Sequence, residues 1–323
     1  MKKIICLTVF LVLFLIDQGF AGTVELPRTG QTTCYDSAGN MIACPGSGQD
    51  GDVRAGVEWP SPRFAITYCT SDAPCTGQTE DCDGDPSNDV VMDNLTGLMW
   101  TRKACNEGAW PVLYWGDAVS YAWNLALCGH DDWRLPNANE LESLINAGVA
   151  DQIDWLGSAG FTDLVQNWYY TSTRAFYDLT YYSYPNFALG LHRGDGAQRL
   201  DRVASWGMAP AWPVRAGQSD DSDSNYPANI WKTGQTASES AQEGDDGNLR
   251  MGVAWPDPRF TITYCNSSGP CAGQAADCDD DASTDVVTDN LTGLIWARDA
   301  NRPDGPKSWT DGLNYAKNLT LCG

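Results

Sequence analysis

Apolar positions in this chain first gather in a run over residues 4–16, interrupted only by Thr8, behind Lys2 and Lys3, and no later segment is as apolar. The run is shorter than the roughly 20 residues that cross a bilayer. Gly19-Phe20-Ala21 follows it with small residues of the kind a signal peptidase accepts, so residues 1–21 read as a secretory signal cleaved after Ala21. Beyond it the pattern changes period several times. Residues 63–69, RFAITYC, alternate β-branched and aromatic with polar positions, as a half-buried strand does. Residues 90–100, VVMDNLTGLMW, predict a strand, a turn at Asp93-Asn94 and a second short strand that puts Leu98 and Trp100 on one face. Over residues 116–129 the period becomes helical, with Asp117 as N-cap, a stripe of Ala118, Tyr121, Ala122 and Leu125, and Gly129 as the stop. A second helix starts at Asn137, where Glu140 three residues on completes a capping box; Leu141, Leu144 and Ile145 form its apolar face and Gly148 ends it. Aromatic-rich strands and loops continue to Arg215. The fold class is therefore α+β, a compact mixed domain with two helices and short antiparallel strands.

The octapeptide DNLTGLMW at 93–100 returns as DNLTGLIW at 289–296. Aligned without a gap, residues 56–100 and 252–296 are identical at more than two-thirds of their positions, so both stretches must share a fold. The likeness extends upstream, RTGQT at 28–32 against KTGQT at 232–236, and downstream, YAWNLALCG at 121–129 against YAKNLTLCG at 315–323. Between the copies, residues 217–229 are polar and acidic and read as a linker. The expected organisation is a signal at 1–21, a lead at 22–52, a complete unit at 53–216, the linker at 217–229, and at 230–323 a truncated second copy. That copy has no counterpart of DDWRLPNANELESL, of the aromatic stretch or of WPVRAG. A half unit of this size is marginal by itself, and the second copy reads as a fragment unless a partner chain completes its core.

Charge and cysteine content sharpen the compartment. The net charge of −22, from 42 Asp plus Glu against 20 Lys plus Arg, repels nucleic acid, anionic lipid and sulfated polysaccharide and favours a cation as partner. Of 12 cysteines only Cys6 falls in the signal, and such density in an exported chain predicts disulfides. The localisation expected is secreted or cell surface, with no membrane span once the signal is removed. Cys34 and Cys44 flank a hairpin-like segment and pair with each other. The second copy holds Cys265, Cys271, Cys278 and Cys322, which admit three connectivities, and the first holds the matching Cys69, Cys75, Cys82 and Cys128 plus Cys105. If the copies pair alike, Cys105 is an odd thiol, buried or bridging two chains of a homo-oligomer; otherwise it pairs with Cys128 and another thiol is free.

Two clusters carry candidate chemistry. Asp81, Asp83, Asp85 and Asp89, repeated as Asp277, Asp279, Asp281 and Asp285, set carboxylates at positions 1, 3, 5 and 9 of a loop, a spacing that suits calcium, the one cofactor expected. The loop is not an EF-hand, because position 12 is Met92 and the glycine falls at position 4; the alternative is an acidic, solvated turn. In the aromatic stretch at 168–187, Trp168 and Tyr170 read as core, while Tyr181, Tyr182 and Tyr184 lie in a loop-like run where rings can stack on sugar faces. Arg134 of DWRLP reads as a structural hydrogen-bonding hub, and the RGD at 193–195 as a plain turn. No nucleophile and base, Walker or dinucleotide pattern stands out, and two histidines lack metal spacing, so an enzyme is not expected.

TGLMW at 96–100, Trp115 with Ala118, DWRLP at 132–136, Glu140-Leu141, WYYTST at 168–173 and PVR at 213–215 occur in an order that resembles the C-terminal domain of the Legionella collagen-like protein, Lcl_C. The resemblance implies an exported bacterial surface or secreted module that is adhesive, binds polysaccharide or a cell-surface glycan, and is often trimeric. The same order also resembles C-type-lectin-like domains. The expected function is a non-catalytic carbohydrate-binding adhesive module; the alternative is a structural or assembly protein of the cell surface without a glycan ligand.

Overall fold

A computed structural model describes residues 23–77, 80–104, 112–165, 168–174, 185–190, 199–204, 208–216, 226–238, 243–271, 276–301 and 305–323. The signal segment, Cys105, Tyr181, Tyr182, Tyr184, the RGD at 193–195 and most of the linker, residues 217–225, lie outside them. The architecture is α+β. A lead of β1 (Cys34–Tyr35), β2 (Met41–Ile42) and the single-turn α1 (Asp50–Val53) comes first. It is followed by β3 (Phe64–Thr67), β4 (Val90–Asp93) and β5 (Leu98–Thr101). Next come α2 (Trp115–Trp123), α3 (Ala138–Glu142), α4 (Gln152–Ser158), β6 (Trp168–Arg174), β7 (Pro185–Gly190), β8 (Arg199–Ala204) and β9 (Val214–Ala216). The first unit thus folds as a four-stranded antiparallel sheet in the order β3-β4-β5-β9 and a three-stranded sheet β6-β7-β8, with the helices packed against both.

The repeated octapeptide owes its spelling to the turn between β4 and β5. Asp93, fully buried, accepts hydrogen bonds from the Leu95 N–H and the Thr96 hydroxyl, while Arg63 donates to both of its oxygens at 3.1 and 3.0 Å. Gly97 closes the turn at φ 75°, in the left-handed region that a side chain disfavours. Leu98 and Trp100 then face the core, as their spacing predicts, where Trp100 meets Trp212 and Trp212 meets Phe161 and Tyr169. β6 is buried on both faces: Tyr169 enters this cluster, and Tyr170, with Trp168 packed alongside, enters a second one against Ala118, Val119 and Ala122 of α2.

The helices differ from expectation in three ways. α2 begins three residues earlier, with Tyr114 at its cap and Asp117 inside the first turn, because the Trp115 indole is drawn inward to donate to the Thr171 carbonyl. α3 keeps the full capping box between Asn137 and Glu140 but ends at Ser143, so Leu144 and Ile145 reach the core from a turn rather than from the helix. α4 is an unpredicted third helix of the unit. Asp151 caps it through the Ile153 and Asp154 N–H groups, and Ile153 and Leu156 anchor it while Trp155 packs on Trp59 and Phe64. Two turns of helix carry too short an apolar stripe to stand out.

Cysteine pairing is the same in both copies. Cys34–Cys44, Cys69–Cys128, Cys75–Cys82, Cys265–Cys322 and Cys271–Cys278 are disulfides, so Cys128 is not the partner of Cys105. The second copy contains α5 (Asp246–Leu249), β10 (Phe260–Thr263), the short hairpin β11 (Cys265–Asn266) and β12 (Gly269–Pro270), β13 (Val286–Asp289), β14 (Ile295–Ala297) and α6 (Trp309–Asn318). Its sheet β10-β13-β14 repeats β3-β4-β5 in register: Phe64 opposes Asp93 as Phe260 opposes Asp289.

The copies are not beads on a string, because each lead packs on the other copy. Val24 N–H donates to Leu291 O in the second turn, and Ala228 N–H donates to Leu95 O in the first. Gly48 lies against Lys317 of α6, and its counterpart Gly244 lies against Trp123 of α2. Ile230 is buried in the main core of the first unit, whereas Leu26 packs with Val253 and Leu291. Residues 226–229, expected to be linker, are therefore part of the packed structure, and the lead before residue 53 is integral to the fold rather than an appendage.

Candidate functional site

The structure does not gather the four aspartates of the acidic loop around a common centre. Asp81 accepts from the Asp83 and Gly84 N–H groups, Asp83 from Asp85 N–H and the Asn88 amide, and Asp85 from Ser87 N–H. These bonds hold the carboxyls of Asp83 and Asp85 below the ordinary range, the Asp85 N–H bond acting most on Asp83 and the Ser87 bond most on Asp85. Asp89 points inward, fully buried; it accepts the Cys69 N–H and pairs with Arg102 at 2.7 Å. Burial pushes its carboxyl up against the lowering pull of those partners. In the second copy Arg298 lies 2.6 Å from Asp285 and 3.6 Å from Asp277, while Asp279 and Asp281 repeat the loop bonds. In each loop the innermost carboxylate pairs with an arginine, Asp89 with Arg102 and Asp285 with Arg298, and among the described residues no three His, Cys, Asp or Glu side chains are arranged to hold a metal.

Arg134 is the hub its motif suggests. Both guanidinium nitrogens pair with Glu140 at 2.7 Å, and the same guanidinium donates to Leu135 O and Ala216 O, tying the DWRLP segment to α3 and β9. Glu140 also accepts the Asn137 N–H. Beside it lies Asp246 of α5, buried and accepting the hydroxyls of Thr173 and Thr233; burial raises its carboxyl above the ordinary range. Asn139 and Asn137 donate to Trp231 O and Met251 O, and Arg174 N–H donates to Gln235. This polar seam ties the first unit to the segment 231–251 that leads into the second copy.

A concave site of about 230 Å³ is lined by Ser71, Asp72, Ala126, Leu127, Gly129, His130 and Asp131. Its base is rigid for local reasons. The Cys69–Cys128 disulfide crosses beneath it, and Leu127 and His130 exchange backbone hydrogen bonds at 2.9 and 3.0 Å. The buried Trp133 indole donates to Leu127 O. Gly129 sits at φ 78°, and a Cβ there would fall 3.0 Å from Asp72 O, so this position needs glycine. At the neighbouring position Asp132 forms a bidentate pair with Arg215, whose hydrogen bond holds the Asp132 carboxyl low. The lining offers one hydroxyl, two carboxylates and an imidazole on a fixed floor, a set suited to a ligand rich in hydroxyl donors. Sequence reasoning missed Asp72 and Asp131; the signal available was the left-handed Cys-Gly pair followed by HDD, which places three polar side chains on one tight corner.

Residues 89–215 match the model of the Lcl C-terminal domain. No curated protein and no solved structure matches the chain.

Proposed function

We propose, starting from a chain whose residues 89–215 form an Lcl C-terminal domain, a module of exported bacterial surface proteins, that the protein is a non-catalytic adhesive module whose polar corner binds a neutral polysaccharide. Five disulfides, and the absence of any helix among the described residues long and apolar enough to cross a membrane, accord with a secreted or cell-surface setting. The observation that carries the reading is the concave site over the Cys69–Cys128 disulfide. Asp72 and Asp131 can accept hydroxyl hydrogens, and the surrounding acidic field disfavours sulfated or carboxylated chains.

Retention of the full chain on immobilised neutral and sulfated polysaccharides tests this. Retention on the neutral matrix only is expected, with loss in an Asp72→Ala/Asp131→Ala variant whose melting temperature stays within about a degree, since both side chains are surface groups. Equal retention by that variant, with loss in a Tyr181→Ala/Tyr182→Ala/Tyr184→Ala variant, would move the site to the aromatic loop. A chelator added to the same run examines calcium: with the inner carboxylates already served by Arg102 and Arg298, retention is expected to be unchanged. A second reading, a structural assembly protein of the cell surface, is favoured by the apolar side chains that the second copy exposes; it expects no retention on any glycan.

A further inference from the structure

The contacts that lock the two copies together come in equivalent pairs. Alignment of RTGQT with KTGQT makes Val24 the equivalent of Ala228 and Glu25 that of Asn229; alignment of the units equates Leu95 with Leu291, Gly48 with Gly244 and Trp123 with Lys317. Val24 N–H donates to Leu291 O and Ala228 N–H to Leu95 O, both at 3.0 Å. Gly48 lies against Lys317, and Gly244 against Trp123. Glu25 and Asn229 meet each other: the Asn229 N–H donates to Glu25 O at 3.1 Å, and the Glu25 N–H to the Asn229 side-chain oxygen at 3.0 Å. A position that touches its own equivalent lies on a two-fold axis, and contacts that map onto one another when the partners are exchanged make an isologous interface. Such a surface is self-complementary.

The two leads also carry the same gripping residues. On the first unit the second lead buries Ile230 in the main core, accepts the Thr173 hydroxyl and the Arg174 N–H through Asp246 and Gln235, and braces Asp246 with Thr233. The first lead has Leu26, Thr29, Gln31 and Asp50 at the equivalent positions, and Thr29 donates to Asp50 as Thr233 does to Asp246. It holds its own unit at the same time: Thr29 O accepts the Ala147 N–H, Gly30 lies against Asn146 and Trp59, and Pro27 bridges to Val57. A lead therefore touches two copies, its own through residues 27–30 and the other through Val24, Leu26 and Gly48. The five disulfides each lie within one copy or its lead, so the contacts between copies described here are non-covalent.

We infer that the face formed by a lead and the turn that follows β4 is a self-complementary docking surface whose occupant is a second copy of this chain. The tandem repeat satisfies that surface internally, and two chains satisfy it for one another when the internal pairing opens. The first lead of one chain then takes, on the first unit of the other, the place that residues 226–250 hold here: Leu26 for Ile230, Thr29 and Asp50 for Thr233 and Asp246, and Gln31 for Gln235. Two features favour the internal pairing. Joining the copies in one chain raises their effective concentration for each other. On the axis, Glu25 faces the neutral Asn229, whereas a pair of first leads sets two Glu25 carboxylates against each other, and like charges repel.

The test places a protease site within residues 217–225 of the full oxidised chain, cleaves it, and follows the two fragments by native mass spectrometry, with isotope-labelled and unlabelled chains mixed. The fragments are expected to stay together at the intact mass. On incubation, labelled and unlabelled fragments should exchange, and pairs of two first fragments should appear. Glu25→Gln should raise the share of those pairs severalfold by removing the repulsion on the axis. Glu25→Cys locates the face: oxidation should link residue 25 of one first fragment to residue 25 of the other, told apart from any link through Cys105 by peptide mass. Fragments that part and stay single, or that re-form only the original pair of unlike fragments, would overturn the proposal. So would pairs of first fragments that form no link at residue 25, because another surface would then hold them.

Discussion

Trp100→Ala is expected to cost the first unit about 3–5 kcal/mol, the usual result of emptying a large aromatic site in a closed core, whereas Trp296→Ala in the second copy should change stability by no more than about 0.5 kcal/mol. The two residues end the same octapeptide and follow the same turn, so intrinsic strand preference cancels in the comparison. The difference is the environment: Trp100 is fully buried against Trp212, and Trp296 is 57% exposed. Denaturant unfolding of the two variants, followed by a probe of the first unit, measures it. Trp100→Phe is a useful control. The buried indole N–H of Trp100 has no partner among the described residues, so part of the cost of losing the ring is offset by removing an unsatisfied donor.

Glu140→Gln is the second large effect. It leaves the size of the side chain and part of the capping box intact but strips the charge from a pair in which Arg134 and Glu140 are 5% and 2% exposed. Removing one member of a buried pair costs about 3–5 kcal/mol because the other charge stays uncompensated. Against a total stability of roughly 5–15 kcal/mol, such a loss is a large share. Arg134→Ala should cost as much or more, since Leu135 O and Ala216 O lose their donor as well. Urea midpoints of the single variants and of Arg134→Met/Glu140→Leu test the electrostatic origin: the double variant should recover a substantial part of the loss.

What the sequence discloses follows from how local each feature is. The Asp93 turn, the facing of Leu98 and Trp100, the capping box of α3 and the Cys34–Cys44 loop each depend on residues within about ten positions of one another, and each reads directly from the chain. The start of α2 does not, because Tyr114 is placed at the cap by an indole that reaches across to Thr171 O. The acidic loop shows the same limit. Its spacing suggests oxygens turned toward a cation; that the chain also returns Arg102 to Asp89 and Arg298 to Asp285, each 13 residues on, is a pairing the motif does not disclose. The concave site was hidden for another reason: Asp72 and Asp131 are distant in sequence and meet only because Cys69 is joined to Cys128. The exchange of leads is the least legible feature. Val24 and Ala228 lie in equivalent segments ahead of the two copies, and nothing in their local pattern says that each will bond to the turn of the other copy.

The two copies carry nearly the same sheet in different settings: core side chains close it in the first unit, and Trp296, Phe260 and Ile262 stand exposed on it in the second. Hydrogen exchange of the full oxidised chain, resolved at β5 and at β14, tests it most directly. Amides of Leu98–Thr101, paired on both sides and buried, should exchange only with global unfolding, and those of Ile295–Ala297 by local opening at rates orders of magnitude faster. Equal, slow exchange at the two strands would mean that the second sheet is already covered, and would contradict the account.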